Sequence, residues 1–433
     1  MKVRAPPGMR DFYPPDMRIQ TWLFDVWRHV SRRFGCEEYE GPIFEYLELY
    51  TLKSGDSIVS ELFHFADRGA RRFAIRPEMT PTLARLVAAR AHALPRPIKW
   101  FSIPRLCRAE KPQRGRLREF FQWNVDILGV DDVLADAEVI AVAVEFLRQV
   151  GLTPGDAVVR ISSRPIATAA LAALGIAPEH ANTAFQLIDR YDKLGAEEFQ
   201  RRWRELAPQV RADDVLHHLD QSDLERCVEL AERTGPAGAA AANQLRRLWE
   251  RLREFGAGEF CVFDLKVVRG LAYYTGPVFE VTAKRVGLRA LAGGGRYDSL
   301  TELLDGPRVP GVGFGMGDAP ILELLSELGK LPALTESLDV FVIDAGEPYF
   351  ARALEIVGAL RRAGLVCDFS YKRQPIGKQF KQAAERGARY AVIVGAELEE
   401  RHELTVKNLT AGRQKAVPAE EFLRAPAARL AEV

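Results

Sequence analysis

Cysteine is sparse in this chain. Five residues out of 433 (Cys36, Cys107, Cys227, Cys261 and Cys367) lie far apart, with no C-x-x-C pair. That spacing speaks against a disulfide framework or a zinc knuckle and points to reduced thiols in a cytoplasmic protein. Histidine is nearly as rare, seven in all, and only His217 and His218 are adjacent, so no metal cluster is expected. The beginning, MKVRAPPGMRDFYPPD, lacks the apolar stretch of a signal peptide, and no apolar run reaches membrane-spanning length. Charge of one sign is missing too: the net charge is +1. A polyanion partner therefore has to be met by a local patch, not by the field of the whole molecule.

What is present is length and texture. A chain of this size exceeds the ~250–300 residues at which single cores stop growing, so two or three domains are expected. Trp22, Leu23, Val26, Trp27 and Val30 recur at helical spacing and predict a helix over 16–34. YEGPIFEYLELY reads as strand broken at Gly41-Pro42, and 80–94 as helix with Pro81 in its first turn. A helix follows over 132–150. The composition changes at 152–255: one strand, AVVRISS, and then an Ala/Arg-rich helical module over about 165–255 inserted between strands. CVFDLKVV, YYTGPVFEVTA and LRALAGGGRYD read as strands, and GVGFGMG as a glycine-rich strand feeding a helix N-capped by Asp318. From 338 to 433 strand–helix–strand–helix–strand patterning predicts a separate α/β domain with parallel pairing, rich in cations such as Lys372, Arg373, Lys378 and Lys407.

The densest signal is RLCRAEKPQRGRLREFFQ, residues 105–122, with six cations around a Pro-Gln-Arg-Gly loop. It reads as two strands joined by that loop. Period-two alternation puts Arg116, Arg118, Phe120, Gln122, Asn124 and Asp126 on one face and Leu117, Phe121, Trp123, Val125 and Ile127 on the other. The first face lines a cavity and the second a core. Arg108 reaches the same cavity from the partner strand, and guanidinium groups suit bidentate phosphate contacts. On these residues alone a solvated edge strand studded with cations is the competing reading. GVGFGMG lacks the G-x-G-x-x-G spacing of a dinucleotide loop, and a strand approached closely by another group explains it as well. Tyr273 and Tyr274, taken singly, read as half-buried strand residues.

Four segments in order, RPEMTPTLAR (76–85), RAEKPQRGRLREFFQ (108–122), VVRGLAYYTGPVFE (267–280) and GGGRYD (293–298), resemble the signatures of class II aminoacyl-tRNA synthetases of the histidyl branch. The N-terminal GMRDFYP and the tail are similar to that family as well. The resemblance implies an α+β catalytic domain over 1–330 on an antiparallel sheet, a helical insertion, and an α/β anticodon-binding domain over 338–433. It implies ATP-dependent ligation of L-histidine to tRNA(His), Mg²⁺ arriving with ATP, no structural metal, and a homodimer formed around Gly41-Pro42. Carried over by position, Glu78, Thr80 and Gln122 hold the α-ammonium, while Asp126 faces the imidazole N–H. Tyr273 and Tyr274 line the imidazole pocket. Arg108 and Arg269 flank the α-phosphate and carboxylate, and Arg116 and Gly315 belong to the ATP site. Two positions depart from the family: Ala272 stands where many members have Asp, and Pro320 where an Arg for the γ-phosphate is usual. Neutralising that phosphate then falls to Arg114, Arg116 or Mg²⁺. Two other function classes remain open: a non-catalytic, histidine-sensing regulatory subunit of ATP phosphoribosyltransferase, and a nucleotide-binding domain with an RNA-binding appendage.

Overall fold

A computed structural model describes residues 4–54, 56–115, 117–220, 223–268, 273–284, 287–288, 290–334 and 338–433. The chain divides into two compact units, Met1–Pro332 and Ala333–Val433.

The first unit is organised by one nine-stranded sheet. Its strands are β1 (Glu37–Glu38), β5 (Ile98–Ser102), β6 (Arg105–Cys107), β7 (Glu119–Leu128), β8 (Ala157–Ser163), β9 (Cys261–Phe263), β10 (Pro277–Ala283), β11 (Ala292–Arg296) and β12 (Gly311–Gly317). The numbers skipped belong to a small separate sheet of β2 (Phe44–Tyr46), β3 (His64–Ala66) and β4 (Arg72–Ile75). The large sheet runs β1-β5-β7-β12-β11-β10-β8-β9, with β6 paired to β7 beside that path. Every pairing from β5 to β8 is antiparallel, as expected, but β1 joins β5 and β9 joins β8 in parallel. The sheet is therefore mixed at its edges. AVVRISS is β8, a member of this sheet, and the helices from Arg164–Ala173 to Pro236–Glu254 follow it.

Period two decides which face of β7 is core. Trp123, Val125 and Ile127 are buried with Leu23, Trp27 and Val30 of the Pro14–Arg33 helix and with the Val133–Gln149 helix. Trp27 and Trp123 stack at 5.9 Å, and the Trp123 indole N–H donates to Ser31 Oγ at 2.9 Å. Fully burying such rings contributes on the order of 1.5–3 kcal/mol each.

Four expectations need correction. Leu47–Tyr50 is not strand: a helix covers Glu48–Ser54, because Leu47 and Tyr50, three apart, are both buried. Arg118 precedes β7 and the strand begins at Glu119, so the alternation extended past the strand's end; Arg116 lies outside the described residues. Tyr273 and Tyr274 likewise precede β10. Asp318 is the first helical residue, capped by Gly317; its carboxylate accepts from Arg10 Nη2 at 2.6 Å and from the Phe121 N–H at 3.0 Å.

The second unit carries β13 (Val340–Asp344), β14 (Cys367–Phe369), β15 (Tyr390–Val394), β16 (Glu403–Asn408) and β17 (Gln414–Pro418) in the order β14-β13-β15-β16-β17. The first three are parallel, joined by helices Phe350–Arg362 and Ile376–Glu385. The strand–helix–strand–helix–strand run is parallel as expected, and β16 and β17 add antiparallel edges that make the sheet mixed. A tight return into a neighbouring strand needs only a few residues, whereas a parallel return needs a crossover.

Candidate active site

The face of β7 opposite the tryptophan core is built by glycine. Along β12 the side chains of Val312, Phe314 and Met316 go to the core, and Gly311, Gly313, Gly315 and Gly317 fall on the other face. A Cβ at Gly313 would lie 1.9 Å from Asp126 Oδ1, and one at Gly315 2.6 Å from the Gln122 amide carbon. A Cβ at Gly311 would run 2.6 Å from the Tyr297 ring. The glycines are thus the floor on which Gln122, Asp126 and Tyr297 lie, which answers what GVGFGMG is for.

Asp126 is 4% exposed, and the Tyr297 hydroxyl donates to it across 171 residues of chain. Burial pushes its carboxyl up to about 7, against the lowering effect of that hydrogen bond. Burial also lifts the phenols of Tyr297 and Tyr39 well above their ordinary range, with Asp126 adding to both. Tyr273 meets Tyr297 edge-on at 6.2 Å and Tyr274 at 4.7 Å, so Tyr273 reaches the carboxylate through Tyr297.

Arg108 sits at the other end of the same face. Its Nε donates to Pro77 O at 3.0 Å and its guanidinium lies 5.1 Å from the Phe120 ring. This ties the β6–β7 hairpin to the loop carrying Glu78 and to Thr80, the first residue of the Thr80–Arg90 helix. Glu78 is half-buried and lies near Tyr50, whose phenol burial lifts above its ordinary range, Glu45 and Glu78 adding to the rise. Arg76 in the same loop is a strut: buried, it donates to Glu40 at 2.5 Å, to Gly41 O at 2.8 Å and to Arg105 O at 3.1 Å. Gly41 lets that segment close on the helix, since a Cβ there would lie 2.4 Å from Thr82.

Of the predicted residues, Arg108, Gln122, Asp126, Tyr273 and Gly315 share this face, and Glu78 and Thr80 join through the Pro77 contact. Tyr274 packs beside Tyr273 but also lies against Gly295. Arg269 and Arg116 lie outside the described residues. Arg114, a candidate for the γ-phosphate, is engaged by the carboxylates of Glu323 and Glu327. A Cβ at Gly317 would lie 3.4 Å from Pro320 Cδ. Arg296 of GGGRYD is structural: 3% exposed, it pairs with buried Asp136 and donates to Val130 O and Asp132 O. Sequence reasoning missed Tyr297, Tyr39 and the Arg10–Asp318 pair. The signal available was position inside a quoted segment: Tyr297 in GGGRYD, Arg10 in GMRDFYP and Tyr39 at the head of YEGPIFEYLELY. Among the described residues no three His, Cys, Asp or Glu side chains gather as metal ligands would, and no helix is long and apolar enough to cross a membrane.

A hydrogen-bonded carboxylate over a glycine floor, with a guanidinium at its far end, suits a small zwitterion joined to a phosphate. The family model for histidyl-tRNA synthetase matches residues 8–319. The chain belongs to that family. A second model, the anticodon binding domain, matches 339–426. A histidine–tRNA ligase of Opitutus terrae is 40% identical over 420 residues, covering 96% of each chain. The chloroplastic/mitochondrial histidine–tRNA ligase of Arabidopsis thaliana is 39% identical over 95% of this chain and 84% of its own. The histidyl-tRNA synthetase structure from Nostoc superposes with TM-score 0.77 at 24% identity, covering 98% and 100%. A Bacillus halodurans structure described as an ATP phosphoribosyltransferase regulatory subunit/histidyl-tRNA synthetase gives 0.72 at 23%, covering 92% and 99%. Those two likenesses speak to fold alone.

Proposed function

We infer that the chain is a histidine–tRNA ligase, an enzyme that activates histidine with ATP and transfers it to tRNA(His). The observation that carries the assignment of its site is the polar face of β7, Gln122 to Asp126, laid on the glycines of β12 with Arg108 at its end. In the first step a carboxylate oxygen of histidine attacks the α-phosphorus and pyrophosphate leaves. Charge grows on the phosphoryl oxygens, where Arg108 and Arg269 stabilise it; loss of one such fixed donor typically costs ~10²–10³ in rate. Mg²⁺ comes with the triphosphate as part of the substrate. In the second step the terminal hydroxyl of tRNA attacks the carbonyl carbon and AMP leaves, so no side-chain nucleophile is needed.

Selectivity follows from Asp126. Tyr297 occupies one carboxylate oxygen, and the other accepts the imidazole N–H. An amino acid without that donor leaves a buried carboxylate unsatisfied, at a cost of about 1–3 kcal/mol. Glu78, Thr80 and Gln122 take the α-ammonium, Tyr273 and Tyr274 the ring, and Gly315 leaves room for the nucleotide. With Pro320 in place of an arginine, neutralising the γ-phosphate falls to Arg116, to Mg²⁺, or to Arg114 once it leaves Glu323 and Glu327. Residues 338–433 grip the anticodon. A homodimer accounts for the aromatic surface of the small sheet, where Phe44, Tyr46 and Phe65 are 46%, 53% and 44% exposed and in contact with Phe73.

The test is exchange of labelled pyrophosphate into ATP. It is expected only with histidine present; exchange without amino-acid preference, or none, contradicts the reading. A regulatory subunit is the second reading, favoured by Pro320. Deleting 338–433 separates the two, because a ligase loses tRNA charging far more than exchange, and a regulator has neither to lose.

A further inference from the structure

Arg164 is the first residue of the helix Arg164–Ala173, directly after β8, and it is only 6% exposed. Three parts of the fold meet on it. Its backbone N–H donates to Gly276 O at 3.0 Å, pinning the segment that carries Tyr273 and Tyr274. Its guanidinium carbon stands 4.5 Å from the centroid of Phe185, a ring on the Ala181–Asp189 helix of the insertion. Asp189, on that same helix, and Tyr274 lie close enough to act on its charge. Burial lowers the guanidinium to about 10, with Asp189 and then Tyr274 opposing the fall. An apolar side chain would fill the space without desolvating a charge.

From Tyr274 the contacts continue inward. Its ring lies 4.7 Å from Tyr273, Tyr273 lies 6.2 Å from Tyr297, and the Tyr297 hydroxyl donates to Asp126. The buried cation therefore stands between the helical insertion and the amino-acid pocket. We propose that Arg164 is a positioning residue that couples the Phe185 helix of the insertion to the tyrosines of the histidine pocket, setting affinity for the amino acid and not for ATP. The inference rests on the histidine-ligase reading.

The test compares wild type, Arg164→Met, Phe185→Leu and the double variant in pyrophosphate exchange, with histidine and ATP varied separately. Arg164→Met keeps the length and loses the charge. It is expected to raise KM for histidine about tenfold, the usual scale of coupling between sites, with kcat and KM for ATP within twofold. Phe185→Leu is expected to shift histidine KM in the same direction by less, and the double variant to match Arg164→Met alone. An unchanged histidine KM, a parallel change in ATP KM and kcat, or multiplying effects would overturn the coupling. Should Arg164→Met fail to fold, Phe185→Leu decides alone, since it leaves the charge in place and lies outside the pocket residues. Wild type without histidine-dependent exchange would sink the ligase reading itself, a result that needs no variant.

Discussion

The two larger sheets of this protein bury their residues in opposite ways. The five-stranded sheet of the second unit has apolar cover on both faces: Val340, Val342, Val392 and Val394 enter one core, and Phe341, Ile343 and Ala391 the other. Its buried charged residue, Asp344, closes β13. The nine-stranded sheet has one apolar face and one that places Asp126 and Gln122 against glycine. A sheet covered on both sides can bind only at its rims, whereas one with a glycine-cleared face can hold a ligand on its surface. The price of that second arrangement is buried charge, at Asp126, Asp136, Arg296 and Arg164.

The contrast can be tested by its energies. Arg296→Met leaves Asp136 buried and uncompensated, and is expected to destabilise the first unit by about 3–5 kcal/mol in chemical denaturation. Arg424→Ala in the second unit, which breaks a pair 75% and 86% exposed, should cost no more than ~0.5 kcal/mol. Equal losses would erase the distinction. Next in size is Gly313→Ala, whose methyl takes the place of Asp126 Oδ1. Histidine-dependent exchange should fall at least ~10²-fold, with far-ultraviolet circular dichroism retained.

The buried carboxylates Asp126 and Asp136 of the first unit shift in the opposite sense to Glu432 of the second and to hydrogen-bonded Asp156 and Glu198 of the first. Asp126, raised to about 7, and Asp136, raised to about 6, each by burial, hold protons in the folded state that the unfolded chain has released above ~4. Stability of the first unit should therefore fall as pH rises from about 4 toward 7 and then level off. Asp126→Asn removes its share, so its Tm should equal wild type near pH 4 and exceed it at pH 8, while histidine binding weakens more than ATP binding. Glu432 in the second unit is held below its usual range by hydrogen bonds from Arg429 and Lys415, which favours folding as pH rises through the acid range. The smallest effect is at Gly377, in the Ile376–Glu385 helix with nothing near its missing Cβ. Gly377→Ala should stabilise by roughly 0.5–1 kcal/mol, where Gly313→Ala harms.

Much of the site was legible because β7 carries its own alternation, with Trp123, Val125 and Ile127 against Gln122, Asn124 and Asp126. The glycines of β12 were visible, but not their partner: the register Gly313↔Asp126 joins strands far apart in sequence. The same distance hid the Tyr297–Asp126 bond and the strut from Arg296 to Asp136. Leu47–Tyr50 misled because Leu-Glu-Leu-Tyr alternates like a strand, and only tertiary burial of Leu47 and Tyr50 selects the helix. The two-residue β1 and three-residue β9 have no period to read at all. The arginine run proved divided: Arg108 faces the site, while Arg105 and Arg114 pair with Glu119, Glu323 and Glu327.

A crystal structure with histidine and a non-hydrolysable ATP analogue bound tests the central claim most directly. The account predicts the imidazole N–H on Asp126 above Gly313, with Arg108 and Arg269 converging on the α-phosphate. Histidine bound away from β7, or those two guanidinium groups in separate cavities, would contradict it.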